Sequence, residues 1–563
     1  MHRRWVVRRT NKEYISYLSR AASVSPAFAQ ILVNRGIKTP GAAIDFLSPG
    51  AEALGDPMEL QGMARAVAAV EEARNSGSRV LVHGDYDADG LTSTAILVAA
   101  LRNLGLDVRY FIPNRFVHGY GFTLPGVDHA RQVGAGLILT VDCGITSFEA
   151  VQRAAALGMG VVITDHHEPL RNPATGEPRL PPALAVVNPR LAGDEAPPLA
   201  GAGVALKLLQ ALALKHPGAL EPREFIDLAA LGTLADSVAL VGENRAIVRE
   251  GLGLIAGSER PGLKALKAVS GLEGRRLKAG LLAFTLVPRM NAPGRLAGAE
   301  EVVELLLAPD AGRAEKLARS LDRQNAERQK IEEQVFQEAL EVLEGREPGP
   351  AVVLAREGWH EGVLGIVASR LVERLSRPAF VLSIRGDTAR GSARSIPAFD
   401  VHAGLEALSG QLLAFGGHKQ AAGLTVQASR IGEFESRICQ IVTGSLREET
   451  PTLFIDAAVG LREINRRFLK ELEGLEPFGA GNPEPVMGSR ALEVISARVV
   501  GKNHLKMRLR SRSMVMDAIG FDMGGLLGTI EETVAVDAAY AAAMNEWEGG
   551  RSIQLQLKGL RSS

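Results

Sequence analysis

Three short hydrophobic runs set the pattern of the first half of the chain, and each ends in a burst of acid and histidine. Arg79-Val80-Leu81-Val82 runs into His83-Gly84-Asp85-Tyr86-Asp87-Ala88-Asp89-Gly90. Leu137-Ile138-Leu139-Thr140-Val141 ends at Asp142-Cys143-Gly144, and Val161-Val162-Ile163-Thr164 ends at Asp165-His166-His167-Glu168. The runs are rich in β-branched residues and do not alternate with polar ones, as expected of strands buried on both faces. Between them, Thr92 to Leu104 and Phe148 to Leu157 have the length and composition of helices. Strand, helix, strand at this spacing predicts a parallel α/β sheet. In such sheets a ligand site lies outside the carboxyl ends of the strands, where these acids and histidines fall.

The rest of the pattern divides the chain into five parts. Residues 1–50 form a helical lead-in, with helical spacing in Ala27-Gln30-Ile31-Leu32-Val33 and in Ala42-Ala43-Ile44-Phe46-Leu47. Residues 51–240 hold the parallel sheet, with a helix at Met63 to Ala73, a further strand at Val108-Arg109-Tyr110-Phe111-Ile112, and a turn-rich loop through Arg115 and His118-Gly119-Tyr120-Gly121-Phe122. A proline-rich stretch, 171–200, reads as surface loop. Apolar helices follow at Gly201 to Leu214 and Phe225 to Leu240, the second with an acid, Asp236, in its apolar run. Residues 241–345 read as helical. Ala311 to Leu343 has no glycine or proline after Gly312, which predicts one long helix joining two domains, its apolar positions being too sparse for a clean heptad. Residues 346–445 return to α/β character, and residues 446–563 carry short alternating runs such as Leu505-Lys506-Met507-Arg508-Leu509, the pattern of an antiparallel β-barrel.

Composition narrows the class without choosing a partner. At 563 residues with 46% hydrophobic content the chain can bury several cores. Lys+Arg and Asp+Glu balance at 64 each, so net charge casts no vote on nucleic acid and local clusters must decide. Arg3, Arg4, Arg8 and Arg9 are one such cluster, for which a solvated edge is the plainer reading. Two cysteines exclude a disulfide framework and point to a reducing cytosol. The N-terminus lacks the apolar core of a secretory signal, and no apolar stretch is long enough to span a membrane.

Carboxylates crowded at one sheet edge need cations to stay ionised, and oxygen ligands with histidine nitrogen suit Mn²⁺, Mg²⁺ or Zn²⁺. Asp87 and Asp89 are two apart and would face the same way in an extended segment. Asp142 on a neighbouring strand is placed to bridge two ions, and His166 offers nitrogen. Two such ions can clamp the attacking and leaving oxygens of a phosphoryl displacement. Gly90-Leu91-Thr92-Ser93-Thr94 opens a helix with small polar residues, where backbone N–H groups are free to bind anions.

Asp165-His166-His167 is the signature of the DHH phosphoesterase superfamily, which the chain therefore resembles. Asp85-Tyr86-Asp87-Ala88-Asp89-Gly90 resembles its first motif, Val141-Asp142-Cys143-Gly144 its second, and Ala229-Ala230-Leu231-Gly232-Thr233-Leu234-Ala235-Asp236 its fourth. Order and flanking sequence are similar to the bacterial RecJ exonucleases. That resemblance extends to Pro288–Leu296, to Gly358–Gly365, Gly391–Ser395 and Gly416-Gly417-His418, which look like the DHH-associated domain, and to Pro477-Phe478-Gly479-Ala480-Gly481-Asn482-Pro483, which leads into an OB-like tail. The fold it implies is an α/β parallel-sheet DHH domain, a second α/β DHH-associated domain joined by the long helix, and a C-terminal OB-fold β-barrel. The activity it implies is 5′-to-3′ hydrolysis of single-stranded DNA to mononucleotides with Mn²⁺ or Mg²⁺, two ions, in repair and recombination. Its metal ligands fall on Asp87, Asp89, Asp142, His166 and Asp236. His83 is either a further ligand or a hydrogen-bonded strand end. Asp85 would support the ligands and take part in catalysis with Asp142. His167 would contact the scissile phosphate or move a proton, and Asp165 would orient a histidine or cap a turn. DNA contacts would come from Arg289 and Arg295, from Ser392, Arg394, Ser395, Gly416, Gly417 and His418, and from the basic run that includes Lys502, Lys506 and Arg508, each of which otherwise reads as surface charge or turn. Tyr120 and Phe122 would stack on bases or pack in a core. The partners implied are single-stranded DNA, with a single-strand-binding protein and a helicase supplying it, in a bacterial cytoplasm near the nucleoid and without a membrane. Because the sequence stops at Ser563, no further C-terminal partner-binding domain is expected. Two alternatives remain at this level: a phosphodiesterase of short oligonucleotides or cyclic dinucleotides, which would generally lack the OB-like tail, and a non-catalytic single-strand-binding scaffold, which would have decayed metal ligands.

Overall fold

The computed structural model describes residues 4–8, 10–48, 53–193, 198–345, 347–445, 452–531, 533, 535–547 and 550–563. Arg3 and Arg9 of the N-terminal basic cluster lie outside them.

The three hydrophobic runs form the centre of a five-stranded, all-parallel sheet. Its spatial order is Val108–Phe111, Arg79–His83, Ala135–Val141, Gly160–Thr164, Ala185–Val187. Neighbours are in register from Val80 to Val108 and Leu137, and from Leu137 to Gly160. Chain order reverses direction between Arg79–His83 and Ala135–Val141. The loops leaving the two strands part there and open a crevice, as doubly wound sheets do. The sheet is buried on both sides. Val80, Val82, Leu137, Leu139 and Val162 enter a large core with the helices Ala88–Asn103, Gly201–Lys215 and Ile226–Ala235. Leu81, Ile138, Val161 and Ile163 enter a second core with helices Leu124–Gln132 and Phe148–Ala156. Burial on both faces explains why the runs do not alternate.

Residues 242–343 are helical throughout their regular segments, ending in one helix of 33 residues, Ala311–Leu343. Its first half buries Ala314, Leu317, Ala318 and Leu321 in the core of the parallel sheet. Its second half buries Val335, Phe336 and Ala339 against Trp359, Val363 and Val367. One rod thus spans two cores, which is why its apolar stripe is thin and changes partner midway. The second sheet runs Leu412–His418, Ala421–Gln427, Thr388–Arg394, Ala379–Arg385, Val352–Glu357, with only the last pair parallel.

The C-terminal strands Met487–Val500, His504–Ser511, Met514–Gly520, Gly550–Ser562 and Ala535–Trp547 close on themselves through the pairing of the first with the last. The barrel is not wholly antiparallel: Asp517–Ile519 pairs parallel with Gln554–Gln556, so the chain crosses the barrel between them. The N-terminal helices Lys12–Ala21, Pro26–Asn34 and Pro40–Leu47 pack on this barrel. Leu18, Phe28, Ile31 and Leu32 share one core with Phe468, Leu505, Leu509, Tyr540 and Leu557, and strand Arg4–Val7 pairs with Thr452–Ile455. Short amphipathic helices cannot bury their own apolar faces, and here the far end of the chain covers them.

Candidate metal centre and nucleic-acid cleft

Each acid is delivered by a different local device. Asp85 ends the loop out of the first strand. Asp87 caps the helix Ala88–Asn103, its carboxylate accepting from the N–H groups of Asp89 and Gly90 at 3.0 and 3.1 Å. Asp89 stands in the first turn of that helix, and its two oxygens accept from Gly201 N at 2.7 Å and Ala202 N at 2.8 Å, the free N-terminus of the next long helix. Asp87 and Asp89 therefore do not lie in an extended segment facing one way. The helix start turns them to different parts of the site. The same caps correct the anion-site reading of this helix, because Asp87 and Asn291, whose Oδ1 is 2.7 Å from Ala88 N, occupy its first N–H groups, while Thr92, Ser93 and Thr94 donate back to their own helix.

Asp142 follows the second strand with φ +59°, a left-handed conformation that costs a side chain of this kind on the order of 1 kcal/mol and is held by Asp142 N donating to Thr164 O at 3.0 Å. Asp236 is not inside its apolar helix but at its C-cap, which lets an acid end a fully buried run. Close approach also constrains two glycines. A Cβ on Gly201 would lie 2.6 Å from Asp142 Oδ1, and one on Gly232 would lie 2.6 Å from Asp89 Oδ1.

These devices bring together three overlapping groups of potential ligand atoms: Asp85, Asp87 and Asp142; Asp142, His166 and His167; and Asp89, His166 and Asp236. Asp142 and His166 are each shared by two groups. His166 Nε2 lies 3.0 Å from Asp142 Oδ1 and 3.9 Å from Asp89 Oδ2, and its Nδ1 lies 3.7 Å from Asp236 Oδ2. Both His166 nitrogens, Asp142 Oδ1 and Asp85 Oδ1 are buried without a hydrogen-bond partner among the described residues. Converging oxygens and nitrogens that lack hydrogen-bond partners are the donor set a divalent cation satisfies, and each would otherwise cost free energy. Without cations, burial and then the charge of Asp87 push Asp85 up to about 8. Burial pushes Asp89 up to about 7 and raises Asp142 well above the usual carboxylate range, and burial with the charge of Asp87 raises Asp236 to about 6. Burial lowers His166, keeping the ring neutral as a ligand must be.

Asp165 is fully buried and organises the histidine pair. Its Oδ1 accepts from the N–H groups of His166 at 2.7 Å and His167 at 3.0 Å and lies 2.7 Å from His167 Nδ1, while Oδ2 accepts from Ile145 N at 2.9 Å. It both caps the turn and orients a ring. Burial alone would lower His167, but the Asp165 hydrogen bond and charge outweigh it and lift the ring to about 9. Tyr120, half exposed, sets its hydroxyl 3.0 Å from His167 Nε2.

His83 is not in this constellation. Its fully buried ring packs between Phe111 and Phe122, beside Cys143 Sγ at 3.8 Å, and burial holds it down to about 3. The strand end carries it to the far side of the sheet, so it belongs to no candidate ligand group. Phe122 is likewise core.

A cleft of about 1330 Å³ lies over the metal groups. One wall holds Tyr86, Arg115, Tyr120, His166, His167 and Asp236. The other, from the second sheet, holds Ser392, Gly416, Gly417 and His418. Arg295 and Arg394 sit at the seam between the walls: Arg295 donates to Gly362 O at 3.2 Å, and the guanidinium of Arg394 lies against Gly365. Burial lowers Arg295 to about 10 and lowers Arg394, and the nearby charge of Arg115 adds to both. Two predicted contacts face elsewhere. Ser395 is buried with its hydroxyl donating to Phe399 O at 2.8 Å, and Arg289 is ion-paired with Asp322 at 2.8 Å. Sequence reasoning passed over Arg115 as a site residue; its position after the strand Val108–Phe111, at the same sheet edge as the acids, was the available signal. On the barrel, Lys502 and Lys506 lie on or beside the strand His504–Ser511. Arg508 faces Asp517 at 3.7 Å and Arg510 is paired with Glu493, so the basic run is partly neutralised.

Comparison with known proteins follows the same division. The DHH family N-terminal domain matches residues 79–233, the DHHA1 domain residues 349–444, and the RecJ OB domain residues 455–559. The chain is 36% identical to the single-stranded-DNA-specific exonuclease RecJ of Escherichia coli over 95% of both chains. It is 37% identical to the Bacillus subtilis protein of that name over 99% of this chain and 70% of the relative. The crystal structure of RecJ in complex with Mn²⁺ from Thermus thermophilus superposes with a TM-score of 0.86 at 34% identity, covering 100% of this chain and 80% of that one. The corresponding Mg²⁺ complex gives 0.81. With its three domain matches in order and 36–37% identity to these relatives over 95–99% of its length, the chain belongs to the RecJ family of single-stranded-DNA-specific exonucleases.

Proposed function

We propose that the protein removes mononucleotides from the 5′ end of single-stranded DNA by hydrolysis, with two divalent cations, Mn²⁺ or Mg²⁺, held by Asp85, Asp87, Asp89, Asp142, His166 and Asp236. The observation that carries the reading is the run of three ligand groups joined through Asp142 and His166, with unpartnered buried oxygens and nitrogens turned into it. Cations bound there would polarise the attacking water and offset the charge that builds on the phosphoryl oxygens. The chain's own residues supply the rest. Asp89, pinned by two backbone N–H groups, and Asp142, fixed by its turn, hold their oxygens without rearrangement during the reaction. His167, oriented by Asp165, whose charge favours a protonated ring, stands on the cleft wall, where it would donate to a phosphate oxygen or to the leaving 3′-oxygen of the end nucleotide. Arg115 lines the cleft and Arg295 and Arg394 stand at its seam, positive charge that suits a polyanionic strand and demands no sequence.

Strand selectivity in this reading is a matter of width: two walls on separate sheets would enclose the scissile position and exclude a duplex. The barrel offers Lys502 and Lys506 as further phosphate contacts. No helix among the described residues is long and apolar enough to cross a membrane. The enzyme would act in the cytoplasm at the nucleoid, receiving strands opened by a helicase and coated by a single-strand-binding protein.

End-labelled digestion with Mn²⁺ tests the reading. Immediate release of labelled mononucleotide from a 5′-labelled strand, a descending ladder from a 3′-labelled strand and an inert blunt duplex are expected. Inert long strands with rapid cleavage of dinucleotides would overturn it in favour of a short-oligonucleotide phosphodiesterase.

A further inference from the structure

The segment after Asp236 is held from outside its own domain. Ser237 is in the left-handed region at φ +57°, and residues 238–241 run without regular structure to the helix Gly242–Ala256. Leu240 N donates to Ala480 O at 2.7 Å, a backbone bond to the Pro477–Pro483 loop that precedes the barrel. The approach is too close for side chains. A Cβ on Gly481, whose φ is +69°, would lie 2.9 Å from Ala239 Cβ, and one on Gly479 would lie 2.7 Å from Leu240 Cδ1. The loop is itself rigid: Asn482, buried, donates to Leu475 O at 2.8 Å and Pro477 O at 2.7 Å, and Arg35 of the N-terminal helices binds Asn482 Oδ1 and Pro483 O.

We infer that this glycine-containing loop is a positioning element for the metal centre: by clamping residues 239 and 240 it fixes the turn from which Asp236 reaches His166. It rests on the metal-site reading above. Asp236 is the ligand most in need of such help, because it caps its helix, is the most exposed of the carboxylates grouped with His166, and is followed by a segment with no strand or helix of its own to hold it. The barrel and N-terminal helices thereby act on metal affinity as well as on DNA.

The test is calorimetric titration of the full chain with Mn²⁺, with amide hydrogen exchange over residues 237–241. Gly481→Ala should weaken Mn²⁺ binding about tenfold, in the range found when groups supporting metal ligands are altered, and should speed exchange over 237–241. Gly525→Ala, where a Cβ meets nothing, should match the wild type in both. Turnover of Gly481→Ala should recover at saturating Mn²⁺. If Gly481→Ala does not fold, Arg35→Ala takes its place with the same expectation. Wild-type Mn²⁺ affinity in the folded variant would overturn the inference while Asp236→Ala still lowers affinity. Unchanged affinity in Asp236→Ala would overturn the metal-site reading, and the inference with it.

Discussion

At the scale of single residues, Asp142 and Asp165 do different work at the ends of two neighbouring strands. Asp142 links two ligand groups, so Asp142→Ala should abolish hydrolysis while single-strand binding, spread over two further domains, largely survives. Nuclease assay beside strand-binding titration checks this, and normal turnover would refute the ligand assignment. Asp165 touches no candidate ligand atom but His167, yet it accepts from three backbone N–H groups and one ring. Asp165→Asn turns an NH₂ group toward donors and should lower kcat roughly 10–100-fold, with strand affinity unchanged. The acids also carry a pH signature. Asp85, Asp89 and Asp236 stand at about 8, 7 and 6 in the folded chain, above the ordinary 3.8. Between 3.8 and those values the folded state keeps protons that the unfolded chain has lost, so this contribution to stability falls as pH rises through the window. Melting of chelator-treated protein should therefore show a decline toward pH 8 that shrinks in Asp85→Asn. Mn²⁺, which takes the ionised form, should raise Tm more at pH 8 than at pH 6.

At the scale of elements, the barrel is fastened by one carboxylate. Asp537 on the strand Ala535–Trp547 accepts from Ala491 N at 3.0 Å and Ser563 Oγ at 2.8 Å and pairs with Arg561 at 3.1 Å, tying together three of the five barrel strands. Burial alone would raise its pKa, but these partners outweigh it and hold it below the usual range. The stabilisation is therefore full above 3.8 and is lost as pH falls through the folded value. Asp537→Asn should cost about 1–3 kcal/mol, read by urea unfolding, with the difference from wild type vanishing in acid. This tie could not be read in the sequence, since Asp537 is one acid in an alternating run and its partners lie on distant strands. Elements with a local cause were legible. The three buried runs, the long helix and the barrel strands follow from period and composition, and the acids at the strand ends follow from sheet topology. What depended on packing direction was not. His83 shares its strand end with the acids but turns into the aromatic core. Ser395 continues a strand of predicted phosphate contacts but bonds Phe399 O. The N-terminal helices needed the far end of the chain to show which core they enter.

At the scale of the molecule, every candidate metal ligand among the described residues comes from the domain of the parallel sheet, while the opposing wall of the cleft is carried on the second sheet. The walls are joined by Ala311–Leu343, anchored in one core through Leu321 and in the other from Val335 onward, and its middle is exposed at Ala326. Stiffness of that rod therefore bears on substrate and not on metal. Ala326→Pro removes one i to i−4 hydrogen bond and crowds the preceding turn, a local cost of about 3 kcal/mol, which bending at this exposed point between the anchors relieves. The walls then part. KM for single strands should rise about tenfold or more, duplex should begin to be degraded as the gap widens, and calorimetric Mn²⁺ affinity should stay at its wild-type value. Ala326→Gly, which softens the helix by about 1 kcal/mol without a kink, should fall between the two. Unchanged KM and intact strand selectivity in a folded Ala326→Pro variant would mean that the walls are held by their direct contacts, such as Arg295 on Gly362 and Phe116 on His360, and that the helix is only a tether.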